Sequence, residues 1–144
     1  KLDALSRGSI IYGNSSAATA ILTKGGAATV LTSDGTDISW SAATGGTSWQ
    51  AVITAATKTA VAGEGYFINT TSNTCTLTLP AGTLGDEVSV IDYAGTFDAN
   101  ALTITPNGSE KIQGVAANLT ISIERAGLTL VYTDATQGWL LKDK

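Results

Sequence analysis

The sequence contains no histidine and no methionine, only one cysteine, and few charges. Without histidine, the commonest general base and metal ligand is missing, and Ser-His and Cys-His nucleophilic machinery goes with it. The lone Cys75 excludes an intrachain disulfide and a cysteine-based zinc site. Charged residues make up 14 %, against roughly 25 % in an ordinary soluble domain. The eight basic residues are scattered singly among twelve acidic ones, for a net charge of −4. Nucleic acid and anionic membrane surfaces, which need clustered Lys and Arg, are therefore not expected partners. No apolar run approaches the roughly 18 residues that span a bilayer as a helix. No cofactor or metal is expected. A chain that opens at Lys1 and has no methionine is expected to be the C-terminal portion of something longer, or a processed product.

What is present is a thin, even spread of Ala, Val, Leu and Ile, interleaved with many Thr and Ser; hydrophobic residues total 43 %. Thr and Val lose rotamer freedom in a helix and pack well on a pleated surface, so this mixture favours strands. The 144 residues suit one ordinary domain with an extension. Residues 1–48 form the first region. Gly8 to Leu22 reads as strand, turn at Gly13-Asn14-Ser15, strand, and Ala28 to Ala43 repeats the plan with Asp34-Gly35 at the turn. Two such hairpins cannot bury a core alone, so this region is expected to need a partner. A small-residue linker, Ala43 to Ser48, follows.

The second region is 49–144. Its first part, Trp49 to Gly63, fits either period, and its Val, Ile and Thr residues tilt it towards extended structure. From Tyr66 onward come seven short segments, "YFINT", "CTLTLP", "EVSVIDY", "ALTIT", "LTISI", "LTLVYT" and "GWLLK". In most of them apolar residues alternate with Thr or Ser, and Pro, Gly, Asn and Asp separate them. Short alternating segments separated by turn residues in this way predict an all-β fold, an antiparallel β-sandwich or barrel-like domain.

Asp34 and Asp37 raise the question of a calcium loop, but no closing Glu follows and the flanks read as strands. A plain hairpin turn is the expected reading. The loop Asp92 to Ala101 carries Tyr93, Phe97, Asp98 and Asn100, aromatic and polar side chains suited to recognising a carbohydrate or protein surface. The alternative is that Tyr93 and Phe97 tuck under the sheet edge as core. Trp40, Trp49 and Trp139 stand at strand ends or a linker edge, where sealing a core or an interchain contact is expected before sugar binding. Cys75 reads as a small buried apolar residue.

The stretches "GSIIYG" (Gly8 to Gly13) and "VLTSDGTDISW" (Val30 to Trp40) resemble segments of bacteriophage tail-fibre and other virion structural proteins, those of marine and cyanobacterial phages above all. The second region resembles the C-terminal domain that often follows in them, through "AVAGEGYFINTTSNTCTLTLPAGTLGDEVSVIDYAGTFDANALTITPNGSEKIQG" and "LTLVYTDATQGWLLKD". The resemblance implies a homotrimeric, fibrous or knob-like assembly on the virion. Residues 1–48 would be the fibre or connector segment that meets other virion proteins, and a host-surface glycan or protein would be the possible receptor. Tyr93, Phe97, Asp98 and Asn100 would then be the receptor-binding residues. Two alternatives stay open: a capsid decoration or head-fibre protein without a receptor role, and a glycan depolymerase using acids among Asp86, Glu87, Asp92 and Asp98. No second catalytic motif accompanies those acids, so the expectation is that the chain is not an enzyme. In a bacterial virus the acceptor patterns at Asn14, Asn69, Asn107 and Asn118 would be turn and strand chemistry only.

Overall fold

The computed structural model describes residues 5–43 and 46–142, which form thirteen β-strands and no helix. The all-β expectation therefore holds. Contacts divide the chain into two units, one ending at Gly45 and one starting at Gly46, and each stands by itself below. Of the expected linker, Thr44 and Gly45 lie outside the described residues, and Ser48 is already a strand residue.

The first unit is two antiparallel hairpins. Strand β1 (Ile10–Gly13) pairs with β2 (Thr19–Leu22), and β3 (Thr29–Ser33) pairs with β4 (Ile38–Ala42). A side-chain acceptor organises each turn. Asn14 Oδ1 accepts from the Ser16 and Ala18 amides at 3.0 and 3.1 Å, and Ala17 takes the left-handed conformation (φ 58°). Asp34 Oδ1 accepts from the Thr36 and Asp37 amides, both at 2.8 Å. These two bonds, Asp37's first, hold the Asp34 carboxyl below its ordinary range. Trp40 then links the hairpins: its indole N–H donates to the Thr23 carbonyl at 2.7 Å, and its ring lies over Gly25. Even so, no described residue of this unit is buried. Ile11 faces Ile21 across β1 and β2, and both are more than two-fifths exposed.

The second unit has nine described strands: β5 (Ser48–Trp49), β6 (Thr57–Thr59), β7 (Glu64–Ile68), β8 (Cys75–Thr78), β9 (Glu87–Asp92), β10 (Leu102–Thr105), β11 (Leu119–Ile121), β12 (Gly127–Tyr132) and β13 (Trp139–Leu141). They make a five-stranded sheet, β13-β12-β9-β7-β5, and a four-stranded sheet, β11-β10-β8-β6. From β5 to β10 the chain alternates between the two sheets, strand by strand. Neighbours within a sheet are therefore two strands apart in sequence and run parallel: β5 with β7, β7 with β9, β6 with β8, β8 with β10. Only the later strands add antiparallel pairs: β10 with β11, β9 with β12, β12 with β13.

This corrects the antiparallel expectation, and the sheets do not close into a barrel. The physical reason lies in the connections. A parallel pair needs a crossover, and here a strand of the opposite sheet supplies it where an α/β protein would use a helix.

One apolar core lies under both sheets. The five-stranded sheet contributes Tyr66, Ile68, Val88, Val90, Leu130 and Trp139; the four-stranded sheet contributes Cys75, Leu77, Leu102 and Ile104. Period-two alternation sends the intervening Thr76, Thr78, Thr103 and Thr105 to the other face, where they are half-buried. The Tyr66 hydroxyl donates to Glu64 and accepts from the Val61 amide; burial and the Glu64 carboxylate push its pKa up to about 12. Burial also raises the Cys75 thiol, consistent with an inert core residue.

Candidate functional site

The loop after β9 is built around one carboxylate. Asp92, the last residue of β9, is 2 % exposed. Its Oδ1 accepts from the Gly95 and Thr96 amides at 2.9 and 3.2 Å; its Oδ2 accepts from the Phe97 and Arg125 amides at 3.2 and 3.1 Å. Burial alone would raise this carboxyl, but the four backbone donors outweigh it and hold the group below its ordinary range. The result is a fixed turn that also pins the turn before β12. Arg125 Nη1 adds a bond to the Tyr93 carbonyl at 3.3 Å.

That anchoring separates the four residues expected to bind a receptor. Phe97 is fully buried in the core, so it offers no ring face to a ligand; here the recognition reading is corrected. Asn100 donates through Nδ2 to the Thr70 carbonyl at 2.9 Å, so its amide braces the loop. Asp98 Oδ1 accepts from the Ala99 amide at 2.9 Å and the residue is exposed. Tyr93 is 52 % exposed and is the one aromatic that the loop presents to solvent. Substituting it should therefore cost little: Tyr93→Ala is expected to change stability by about 0.5 kcal/mol or less. Phe97→Leu, which alters core shape, should cost about 1 kcal/mol or more. Denaturant midpoints of the two variants check this contrast.

The acids considered for glycan cleavage are engaged by other groups. Asp86 Oδ2 accepts from the Thr83 amide at 2.8 Å, and Glu87 pairs with Lys142 at 2.9 Å. Glu87 and Asp92 are five residues apart on β9, roughly 16 Å at the usual rise, whereas glycosidase carboxyls are about 5–9.5 Å apart. Asp34 and Asp37 sit on the β3–β4 turn as the sequence suggests, with Asp34 engaged by backbone amides. Among the described residues no group of three or more His, Cys, Asp or Glu is placed to hold a metal.

The three tryptophans part company. Trp139 is fully buried, with its indole N–H donating to Glu110 Oε2 at 3.2 Å; Glu110 Oε1 in turn accepts from the Gly82 amide at 3.0 Å. Trp40 joins the hairpins of the first unit. Trp49 is 44 % exposed and stacks on Phe67, ring centroids 4.7 Å apart. The Asp92 cage and the Glu110 bridge were not foreseen. The short Asp-Tyr-Ala-Gly-Thr run (Asp92 to Thr96), an acid followed by turn residues, is the local signal for the first. The second joins residues 28 and 29 apart in sequence and leaves no local trace.

The first unit is thus two hairpins with no buried residue among those described, and the second is a two-layer β domain. Residues 8–139 match the family of bacteriophage T4 gp9/10-like proteins, N-terminal region. The chain belongs to that family, which places it among phage structural proteins. It is also 34 % identical over 91 residues to the baseplate wedge protein gp10 of Enterobacteria phage T4; the match covers 61 % of this chain and 15 % of that protein. The chain thus corresponds to a small part of that relative.

Proposed function

We propose that this chain is a structural module of a phage virion, assembled as a homotrimer in a tail fibre, fibre tip or baseplate-side appendage, and that it helps the particle meet the host surface. The observation that carries the assembly part is the first unit: two hairpins with no buried residue and an exposed Ile11–Ile21 pair. Hairpins of this kind are marginal alone and gain stability when other chains cover them. The role is taken to be non-catalytic. The saturated Asp92 and its distance from Glu87 support that reading, and assaying reducing-sugar release from host envelope polysaccharide would test it.

Of the alternatives, a capsid decoration or head-fibre role has less support, because gp10 of phage T4, to which the chain is similar, is a baseplate wedge protein. Other virion proteins are the proposed neighbours of the first unit. Native mass measurement tests the trimer: the expected species is three times 14.6 kDa. Placing Lys at both Ile11 and Ile21 is expected to shift it towards monomer while leaving the second unit folded. A wild-type chain that stays monomeric over a wide concentration range would overturn the trimer.

A further inference from the structure

The outer face of the five-stranded sheet departs from the polar surface that alternation would leave. Strand register places Trp49 beside Gly65, Gly65 beside Ser89, and Ser89 beside Thr129. In the next row Phe67 stands beside Ile91, and Ile91 beside Gly127. The two glycines do different things. A Cβ at Gly65 would lie 2.6 Å from Trp49 Cε3, so the indole packs closely against bare backbone there while it stacks on Phe67. A Cβ at Gly127 would meet only Ile91 Cγ1 at 3.9 Å and the Val90 carbonyl at 4.0 Å, so the space above it is open. Between Trp49 and Gly127 lies a trough of about 200 Å³ whose floor carries Ser89, Ile91 and Thr129.

The lining fixes the chemistry of an occupant. It holds no charged side chain, so a phosphate or a carboxylate gains nothing there. The volume is below the roughly 300–1,000 Å³ that takes a drug-sized molecule, and suits a single ring. The rigid indole supplies a flat apolar wall. Ser89 Oγ and Thr129 Oγ1 lie 3.0 Å apart; whichever donates in that bond, the pair retains one O–H and further lone pairs. A purely apolar side chain seated on them would leave that O–H without a partner, at a cost in free energy. A ring with one apolar face and a hydroxyl edge satisfies both parts of the trough.

We propose that the trough beside Trp49 binds one neutral hexopyranose unit of a glycan, with the C–H face of the sugar on the indole and its hydroxyls on Ser89 and Thr129. The inference rests on the attachment reading for its setting on the particle, and on the sheet geometry alone for the binding. Saturation-transfer NMR tests it, using the full chain and millimolar methyl glycosides of glucose, galactose, mannose and N-acetylglucosamine. At least one glycoside is expected to receive saturation from the protein. Trp49→Ala is expected to abolish the signal. Gly127→Leu, which fills the trough at a strand position with ordinary φ, is expected to weaken binding about tenfold or more with an unchanged unfolding midpoint. No transfer to any of the four, or undiminished transfer in Gly127→Leu, would overturn the proposal. So would loss of self-association in Gly127→Leu without any glycoside signal, which assigns the trough to a protein contact. Competition of the free chain with phage for host cells is read separately: glycoside binding without competition removes the attachment reading and leaves the site standing.

Discussion

Asp92→Asn is expected to lower the stability of the second unit by about 3 kcal/mol or more near neutral pH. The carboxylate accepts four backbone N–H groups from two segments of chain: Gly95, Thr96 and Phe97 in its own loop, and Arg125 before β12. An amide of the same shape keeps one acceptor oxygen and turns an NH2 group towards two of those donors. The affected amides are partly or wholly buried, so they cannot all recover a partner from water. Titration gives the prediction a second arm. A carboxyl whose folded pKa is depressed contributes stability that is fully present above its unfolded pKa of roughly 3.9, and that stability is lost as pH falls through the folded value. The Asn variant has no such group. The gap between wild type and Asp92→Asn should therefore be widest at neutral pH and narrow as pH drops below about 4. Denaturant midpoints of both proteins across that range measure it, and a gap independent of pH would contradict the cage.

The second large effect falls on Trp139→Ala, expected to cost about 3–5 kcal/mol. The ring is fully buried, packs edge-on against Tyr132 with centroids 5.5 Å apart, and donates to Glu110. Truncation leaves a cavity between the sheets and takes one partner from a carboxylate that also receives the Gly82 amide. Trp139→Phe separates these contributions. It retains most of the apolar contact and loses the hydrogen bond, and should cost about 1–2 kcal/mol. Equal losses in the two variants would mean that the bond to Glu110 dominates over packing.

Strand identity was legible in the sequence because period two is a local property. Leu102-Thr-Ile-Thr105 alternates on the page and in space: Leu102 and Ile104 are buried while Thr103 and Thr105 are half-exposed. Strand partnership is not local. Leu102 lies beside Cys75 in a parallel pair and beside Ile121 in an antiparallel one, and no feature of the four residues records either. The expectation of antiparallel neighbours assumed that consecutive strands pair, whereas from β5 to β10 consecutive strands sit in opposite sheets. The loop after β9 failed for a related reason. Tyr93 and Phe97 are equivalent as sequence, and the Asp92 anchor decides which one turns inward. Trp49 could be read only as an edge residue until β5 was seen parallel to β7, which sets its ring above Gly65 and beside an open trough. The hairpins of the first unit were the clearest part, since Asn14 and Asp34-Gly35 carry their turn geometry in their own side chains and backbone.

The most direct test of the account is gold labelling of intact virions with an antibody raised against the second unit, imaged by electron microscopy. The account predicts label on the tail assembly of wild-type particles. Particles without label, with the protein recovered only from the soluble fraction of infected cells, would contradict it.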